Sequence, residues 1–372
     1  MNDLRPVDTY QFEIKHSSAW PALRADWARL HAADRRSTFF LSPLWVDTWL
    51  SVFGNDLHIE FACFCSNGAT EGIALIASNK KKGPLAIKKY FLNTAGEQRG
   101  SPMLEHNALL CRPELLDSFA GALSEYADTL NWDEWVFNGV RASDMELLCE
   151  RFKGAPDLQW QPAPFVDLEV LRNSNASFLA SLSSNTRQKI RRSIKLYEQQ
   201  AELNVSFARD QEEALTYFAE LMRLHQALWQ ARDKTGAFSD PAFLSFHEAI
   251  IKAGTPSTDY DVIRVSCGEA TIGVVYNLIF NGHISYYQSG FEYQSDNRIK
   301  PGLVCHSLVV QYALDQGYKE YDLLATANGG SQYKTSLANA ERLLAWASYR
   351  RISPKFKLAQ ALKRAKAAVR GK

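Results

Sequence analysis

The chain has 372 residues, 46% hydrophobic and 22% charged, with a formal net charge of +1 and a pI near 7.6. That length exceeds one ordinary core and sets two domains as the prior, and the composition is that of a globular protein. The near-neutral charge gives no bulk electrostatic basis for nucleic-acid binding, and no apolar run approaches the roughly 20 residues that span a bilayer.

The opening residues carry Asp3 and Glu13 and lack the basic start and apolar run of a secretory signal, so a cytoplasmic location is expected. FLSPLWVDTWLSVFG places Leu44, Trp45, Trp49 and Phe53 near helical spacing, with Ser42 as cap and Pro43 in the first turn. IEFACFCSNG and EGIALIASN read as two strands joined at Asn67-Gly68, a hairpin signal. KKYFLNTA is a further strand, PELLDSFAGALSEYADTL an amphipathic helix, and WDEWVFNGV a closing strand. The aperiodic, proline-rich KGAPDLQWQPAP (153–164) is the expected boundary between domains over 1–158 and 159–350.

The second half repeats this succession. SNTRQKIRRSIKLYEQQ and EEALTYFAELMRLHQALWQAR are helical, and DPAFLSFHEAIIKAG is a helix opened by Asp240-Pro241. YDVIRVSCGEATIGVVYNLIFNGHISYYQSGFE reads as three strands with turns at Gly268-Glu269 and Asn281-Gly282. GLVCHSLVVQYALDQG is a helix ended by Gly317, and EYDLLA a short buried strand. Helices, a strand meander, a helix and a last strand in each half imply an α/β core on a mixed sheet. Residues 351–372 follow as a basic amphipathic tail in which Leu358, Leu362, Ala365 and Val369 share a helical face.

Six cysteines occur without a CxxC pair or a His-x(3–5)-His partner, so buried reduced thiols are expected rather than a zinc site. Period two puts Cys63 and Cys65 on one strand face. In TRQKIRRSIKLY, Arg187, Arg191 and Lys195 share a helix face, read either as solvated or as a guide for a phosphate-rich donor. His225 and Trp229 stand one helical turn apart; His247, like His225, reads either as a core or as a pocket residue, and His306 as structural.

SNTRQKIRRSIKLYEQQ, LMRLHQALWQARDKTGAFSDPAFLSFH, YYQSGFEYQSDNRIKPG and LDQGYKEYDLLATANGGSQYK, in that order and spacing, resemble the GNAT-like acyltransferases associated with bacterial cellulose and other exopolysaccharide biosynthesis. Relatives of that family include the Fem-type transferases, which join two GNAT units in one chain. The resemblance covers roughly residues 160–345 and implies tandem GNAT-like domains. It also implies transfer of an acyl group from a thioester, usually acyl-CoA (acetyl-CoA or longer), to an amine or hydroxyl, with no metal. The donor then lies in a splay between the fourth and fifth strands of the GNAT sheet.

GNAT proteins bind the donor pyrophosphate at backbone amides leading into a helix, usually as R/Q-x-x-G-x-G/A. This chain has NRIKPGLV there, so Arg298, Lys300 and Gly302 are the candidates, with one glycine only. Strand alternation in HISYYQSGFE puts Tyr286, Gln288 and Gly290 on one face, and Tyr287, Ser289 and Phe291 on the other. The resemblance places Gln288 and Asn328 with the donor, and Tyr286, Tyr287, His225 and Trp229 in the substrate pocket. Glu292 is the candidate general base. Tyr333 is the candidate acid for the departing thiolate, with Lys334 stabilising charge beside it. Where the family often has an acid before this Tyr-Lys pair, the chain has NGGSQ.

Three readings stand at this point. The first is an N- or O-acyltransferase acting on a small-molecule, saccharide or amino acceptor. The second is a Fem-like transferase using aminoacyl-tRNA, for which KKKGPLAIKK supplies some basic surface; an acyl carrier protein is a further possible donor carrier. The third is a degenerate, non-catalytic GNAT binding module. The tail adds possible contact with a membrane surface.

Overall fold

The computed structural model describes residues 10–80, 83, 85–94, 100–325 and 332–370. The chain divides into two compact units, one of residues 1–160 and 344–372 and the other of 161–343.

In the first unit, β1 (Tyr10–His16), α1 (Trp20–Ala33) and α2 (Pro43–Phe53) precede β2 (Leu57–Ser66), β3 (Ala69–Asn79), β4 (Lys89–Leu92) and β5 (Leu110–Cys111). Then come α3 (Leu116–Thr129), β6 (Glu134–Arg141) and α4 (Ala142–Arg151). Helix α2 starts where the sequence predicts: the Trp45 amide donates to Ser42 Oγ at 3.1 Å, and Pro43 fills the first turn. Asn67 and Gly68 take φ values of 50° and 78°, the left-handed pair that a two-residue hairpin between β2 and β3 demands. Strands β1 to β4 run antiparallel in order, and β4 pairs β6 in parallel.

Past Leu92 the space between β4 and β6 is filled by the chain itself. Asn107 Nδ2 donates to Leu92 O and to Asn138 O, both at 3.0 Å, bridging the two strand ends. Asn93 donates from Nδ2 to Asn107 Oδ1 and Ala108 O and accepts from the Leu75 amide, each at 2.8 Å. Gly139, at φ 64°, admits this segment because a Cβ there would meet the Leu104 carbonyl.

The second unit contains β7 (Asp157–Asp167), α5 (Leu168–Asn173), α6 (Phe178–Ser181), α7 (Ser184–Glu198), β8 (Leu203–Phe207) and α8 (Gln211–Gln230). It continues with α9 (Pro241–Ala253), β9 (Tyr260–Cys267), β10 (Ala270–Phe280), β11 (His283–Phe291), α10 (Pro301–Asp315), β12 (Glu320–Asp322) and α11 (Gln332–Leu337). Its sheet order is β7-β12-β11-β10-β9-β8, parallel only between β11 and β12. Ile190, Val265, Val275, Val304, Val310 and Tyr321 are among its buried core.

Two expectations change. The stretch read as a linker contains strand β7, and Pro162 and Pro164 lie within it. Its ladder with β12 uses Phe165–Asp167, while Pro164 serves as acceptor for the Leu323 amide at 3.0 Å; proline lacks only the donor. Second, the chain from Leu344 onward groups with the first unit. Strand β13 (Ala340–Arg350) pairs antiparallel with β6 from Leu344 to Arg350. Helix α12 (Pro354–Arg370) is tied to the same unit by Lys355, 2.6 Å from Asp133, and by buried Phe356, leaving Leu358 and Leu362 about half exposed. The mixed α/β fold itself is as the sequence predicts.

All six cysteines are free thiols; burial pushes Cys63 and Cys111 up to about 12. Among the described residues no helix is long and apolar enough to cross a membrane. No cluster of His, Cys, Asp and Glu among them has metal-binding form.

Asp261, at the start of β9, is 5% exposed, and burial raises its carboxyl from 3.8 to about 6. A raised carboxyl penalises the fold once ionised, so stability is highest below the unfolded value and falls as pH climbs towards 6. The loss should be on the order of 3 kcal/mol. Asp261→Asn should raise Tm at pH 8 and leave it unchanged at pH 3.5; equal effects at both would refute this account.

Candidate active site

β11 and β12 pair only at His283–Ser285 with Glu320–Asp322. From Tyr286 to Phe291, β11 is held by β10 alone. Gln288 faces Tyr276 and Tyr286 faces Asn277, so Tyr287 is an extra residue, a β-bulge that sharpens local twist. The two strands part here, and a cavity of about 930 Å³ opens against α7, α8, α10 and α11.

The bulge overturns the simple alternation. Tyr286 lies with Ser289 and Phe291: its hydroxyl is 2.5 Å from Ser289 Oγ, and it and Phe291 both pack edge-on against His306 on α10. Tyr287 lies on the other face, its ring centroid 4.6 Å from His247 on α9. Gly290 also faces that side, directly under α8, where a Cβ would collide with the Leu221 carbonyl and stand 2.7 Å from Leu224 Cβ.

Helix α10 opens into the cavity. The Val304 amide makes the first intrahelical bond, to Lys300 O at 3.1 Å, and Pro301 has no amide proton. The Gly302 and Leu303 amides therefore precede the ladder and carry the positive end of the helix dipole. The Lys300 amide is occupied by Ser193 Oγ at 2.8 Å, fixing the helix start against α7. Gly302 passes beneath Phe291, whose ring a Cβ would approach to 3.2 Å.

Lys189, Arg232 and Lys300 line the cavity, and no Asp or Glu does. None of these three cations has a carboxylate partner among the described residues. Sequence reasoning missed Lys189 and Arg232. The face of α7 turned to the cavity is Asn185, Thr186 and Lys189, not the predicted Arg187, Arg191 and Lys195; Arg187 instead donates to Ala180 O at 3.0 Å. The spacing i, i+1, i+4 in Asn185-Thr186-x-x-Lys189 was the available signal.

The other predicted residues separate into two groups. Gln288, Lys300, Gly302, His225, Trp229 and Tyr333 line the cavity. Tyr286 lies just behind it, and Lys334 Nζ is 5.5 Å above the Tyr286 ring and 3.4 Å from Leu324 O. Arg298 is outside, ion-paired to Asp296 at 2.7 Å, and this pairing pulls Asp296 down to about 2. Glu292 is exposed past the strand end and does not line the cavity; its amide donates to Ile272 O at 3.0 Å. Asn328 lies outside the described residues.

Tyr333 reaches Tyr286 by hydroxyls 3.5 Å apart. Burial raises the Tyr286 phenol to about 12. Burial, with help from the Lys334 charge, lowers His306 to about 3, so this ring stays neutral between its neighbours. His247, in its aromatic surroundings, is likewise lowered to about 3 by burial. His225 is fixed differently: the Trp229 indole N–H donates to its Nε2 at 2.8 Å, so Nδ1 carries the ring proton. Burial lowers its pKa, with Gln226 opposing. A ring whose lone pair is already taken is a poor general base. The Ser289 amide donates to Gln288 Oε1 at 3.1 Å, and both residues line the cavity.

Residues 184–335 match the family model described as the Acetyltransferase (GNAT) domain. Solved structures of similar fold include FemX, with TM-score 0.59 and 12% identity over 93% of this chain and 99% of that one. A conserved protein of unknown function from Bacteroides thetaiotaomicron gives TM-score 0.53 and 12% identity over 92% and 100%. L-PGS from Bacillus licheniformis gives 0.50 and 13% over 87% and 96%. At these identities the likeness is one of fold. No curated protein matches the chain.

Two outcomes follow from the close packing. Gly290→Ala should cost about 2–3 kcal/mol in urea unfolding, because the α8 backbone has to move; a neutral effect would contradict the α8–β11 contact. Trp229→Phe should raise the His225 pKa by releasing Nε2 to solvent, read by NMR titration of the ring; no rise would show that the indole does not hold it.

Proposed function

We propose that the second unit is an acyltransferase that moves an acyl group from an acyl-CoA thioester to an amine or hydroxyl acceptor. The observation that carries this reading is the opening between β11 and β12, which meets a helix N-terminus and three cations without any lining carboxylate. An anionic, extended donor fits that arrangement. The Gly302 and Leu303 amides receive the pyrophosphate, with Lys189 and Lys300 beside it and Arg232 on the α8 side. These amides and lysines take the place of the glycine-rich loop that the sequence lacks.

The Ser289 amide then polarises the thioester carbonyl once Gln288 turns away from it, since an amide donor aimed at a developing oxyanion stabilises the transition state. Tyr333 protonates the departing thiolate, and Lys334 favours the anionic phenol that results. His225 and Trp229 form the wall on the acceptor side. Glu292 and Arg298 have no part in this scheme, because neither reaches the cavity. A Fem-like donor, aminoacyl-tRNA, is the second reading; the FemX-like fold and the same cations support it. The exposed Leu358 and Leu362 on the basic α12 support peripheral contact with an anionic membrane.

Thermal shift with acetyl-CoA, longer acyl-CoAs and CoA tests the donor. A thioester at 100 times its Kd should add about 2.7 kcal/mol of stability, and Lys189→Glu should reduce that gain. Stabilisation by aminoacyl-tRNA alone would move the assignment to the second reading. Tyr333→Phe should lower kcat with little change in donor binding; unchanged turnover would remove Tyr333 from the acid role.

A further inference from the structure

Ser289 and Tyr333 both line the cavity, yet they come from different elements, the bulged end of β11 and the first turn of α11. Behind them lies Tyr286, 6% exposed and outside the lining, whose hydroxyl touches both: 2.5 Å to Ser289 Oγ and 3.5 Å to Tyr333 Oη. A buried tyrosine hydroxyl needs a partner, and one bond would meet that need. Tyr286 has two, and each leads back to the cavity at a different point.

We propose that Ser289, Tyr286 and Tyr333 form a hydroxyl relay that carries the proton released by the acceptor to the departing thiolate. This rests on the acyl-transfer reading above. As the acceptor heteroatom bonds to the acyl carbon, its N–H or O–H bond breaks and the proton passes to Ser289 Oγ. Ser289 gives its own proton to Tyr286, Tyr286 gives its proton to Tyr333, and Tyr333 protonates sulfur as the C–S bond breaks with its electron pair. Each oxygen ends with one proton, so no external acid or base is consumed.

The surroundings suit this role. Lys334 over the Tyr286 ring favours transient negative charge on that phenol. His306, edge-on to Tyr286 at 4.5 Å, has its Nδ1 3.4 Å from the Tyr321 hydroxyl and holds no proton of the relay. The relay also accounts for a site whose only predicted carboxylate base, Glu292, stands outside the cavity. It exists because of the bulge: with regular alternation Tyr286 and Ser289 would lie on opposite faces of β11.

The test measures thiol release by the full chain from acetyl-CoA and octanoyl-CoA, with glucosamine and lysine as acceptors. Tyr286→Phe and Ser289→Ala should each lower kcat by about tenfold to a hundredfold, within the range for proton transfer in a transition state, with KM for the thioester nearly unchanged. The double variant should be no slower than the slower single one, since a relay is broken once. Turnover of either single variant close to wild type, or losses that multiply, would overturn the relay while leaving acyl transfer standing. In parallel, 3-fluorotyrosine at position 333 is titrated by fluorine NMR. Linked hydroxyls require its signal to shift in both variants, and an unchanged signal overturns the linkage. If the wild-type chain consumes neither thioester, acyl transfer from CoA falls, and the fluorine signal alone decides whether the three hydroxyls are coupled.

Discussion

The parallel ladder between β11 and β12 stops after three residue pairs, and the cavity of the second unit depends on that stop. Had the ladder continued, the backbone of β11 beyond Ser285 would be consumed by pairing and no space would exist between the strands. The bulge at Tyr287 turns the strand away, and Gly290 lets α8 pack against it at a distance no side chain would permit. The cleft is therefore held open by backbone geometry. Helix α10 then presents its amide end to that opening, anchored by the bond from Lys300 to Ser193.

The first unit shows the alternative. It too has a parallel pair, β4 with β6, and there the gap past the pair is filled by Asn93, Asn107 and their neighbours. Each asparagine satisfies backbone groups that separated strands would leave bare, as a buried gap requires. Similar architecture has thus been finished in two ways, one closed by its own chain and one left open as a cavity.

Most of the elements were legible in the sequence, because hairpin glycines, proline-capped helices and alternating strands are local signals. Asn67-Gly68, Ser42-Pro43 and the strands from Tyr260 to Phe291 fall where those signals put them. The candidate site was legible in outline: Tyr333, Lys300, Gly302, Gln288, His225 and Trp229 converge on one cavity. Three parts were not legible, two of them for a nonlocal reason. A one-residue bulge reverses the face assignment of everything before it, and only the register with β10 reveals it. The face of α7 that matters is chosen by what packs against it, so counting charges favoured Arg187 and Arg191 over Lys189. Arg298 read as a phosphate ligand because Asp296, two residues away, was not recognised as its partner.

Strand β13 carries a consequence for how the protein is made. β6 receives its antiparallel partner only from Leu344 onward, so the second unit is an insertion within the first. As the chain leaves the ribosome, the catalytic candidate has its whole sequence available before the first unit does, and β6 waits through about 200 residues as an open edge. The part of the protein that begins first is completed last.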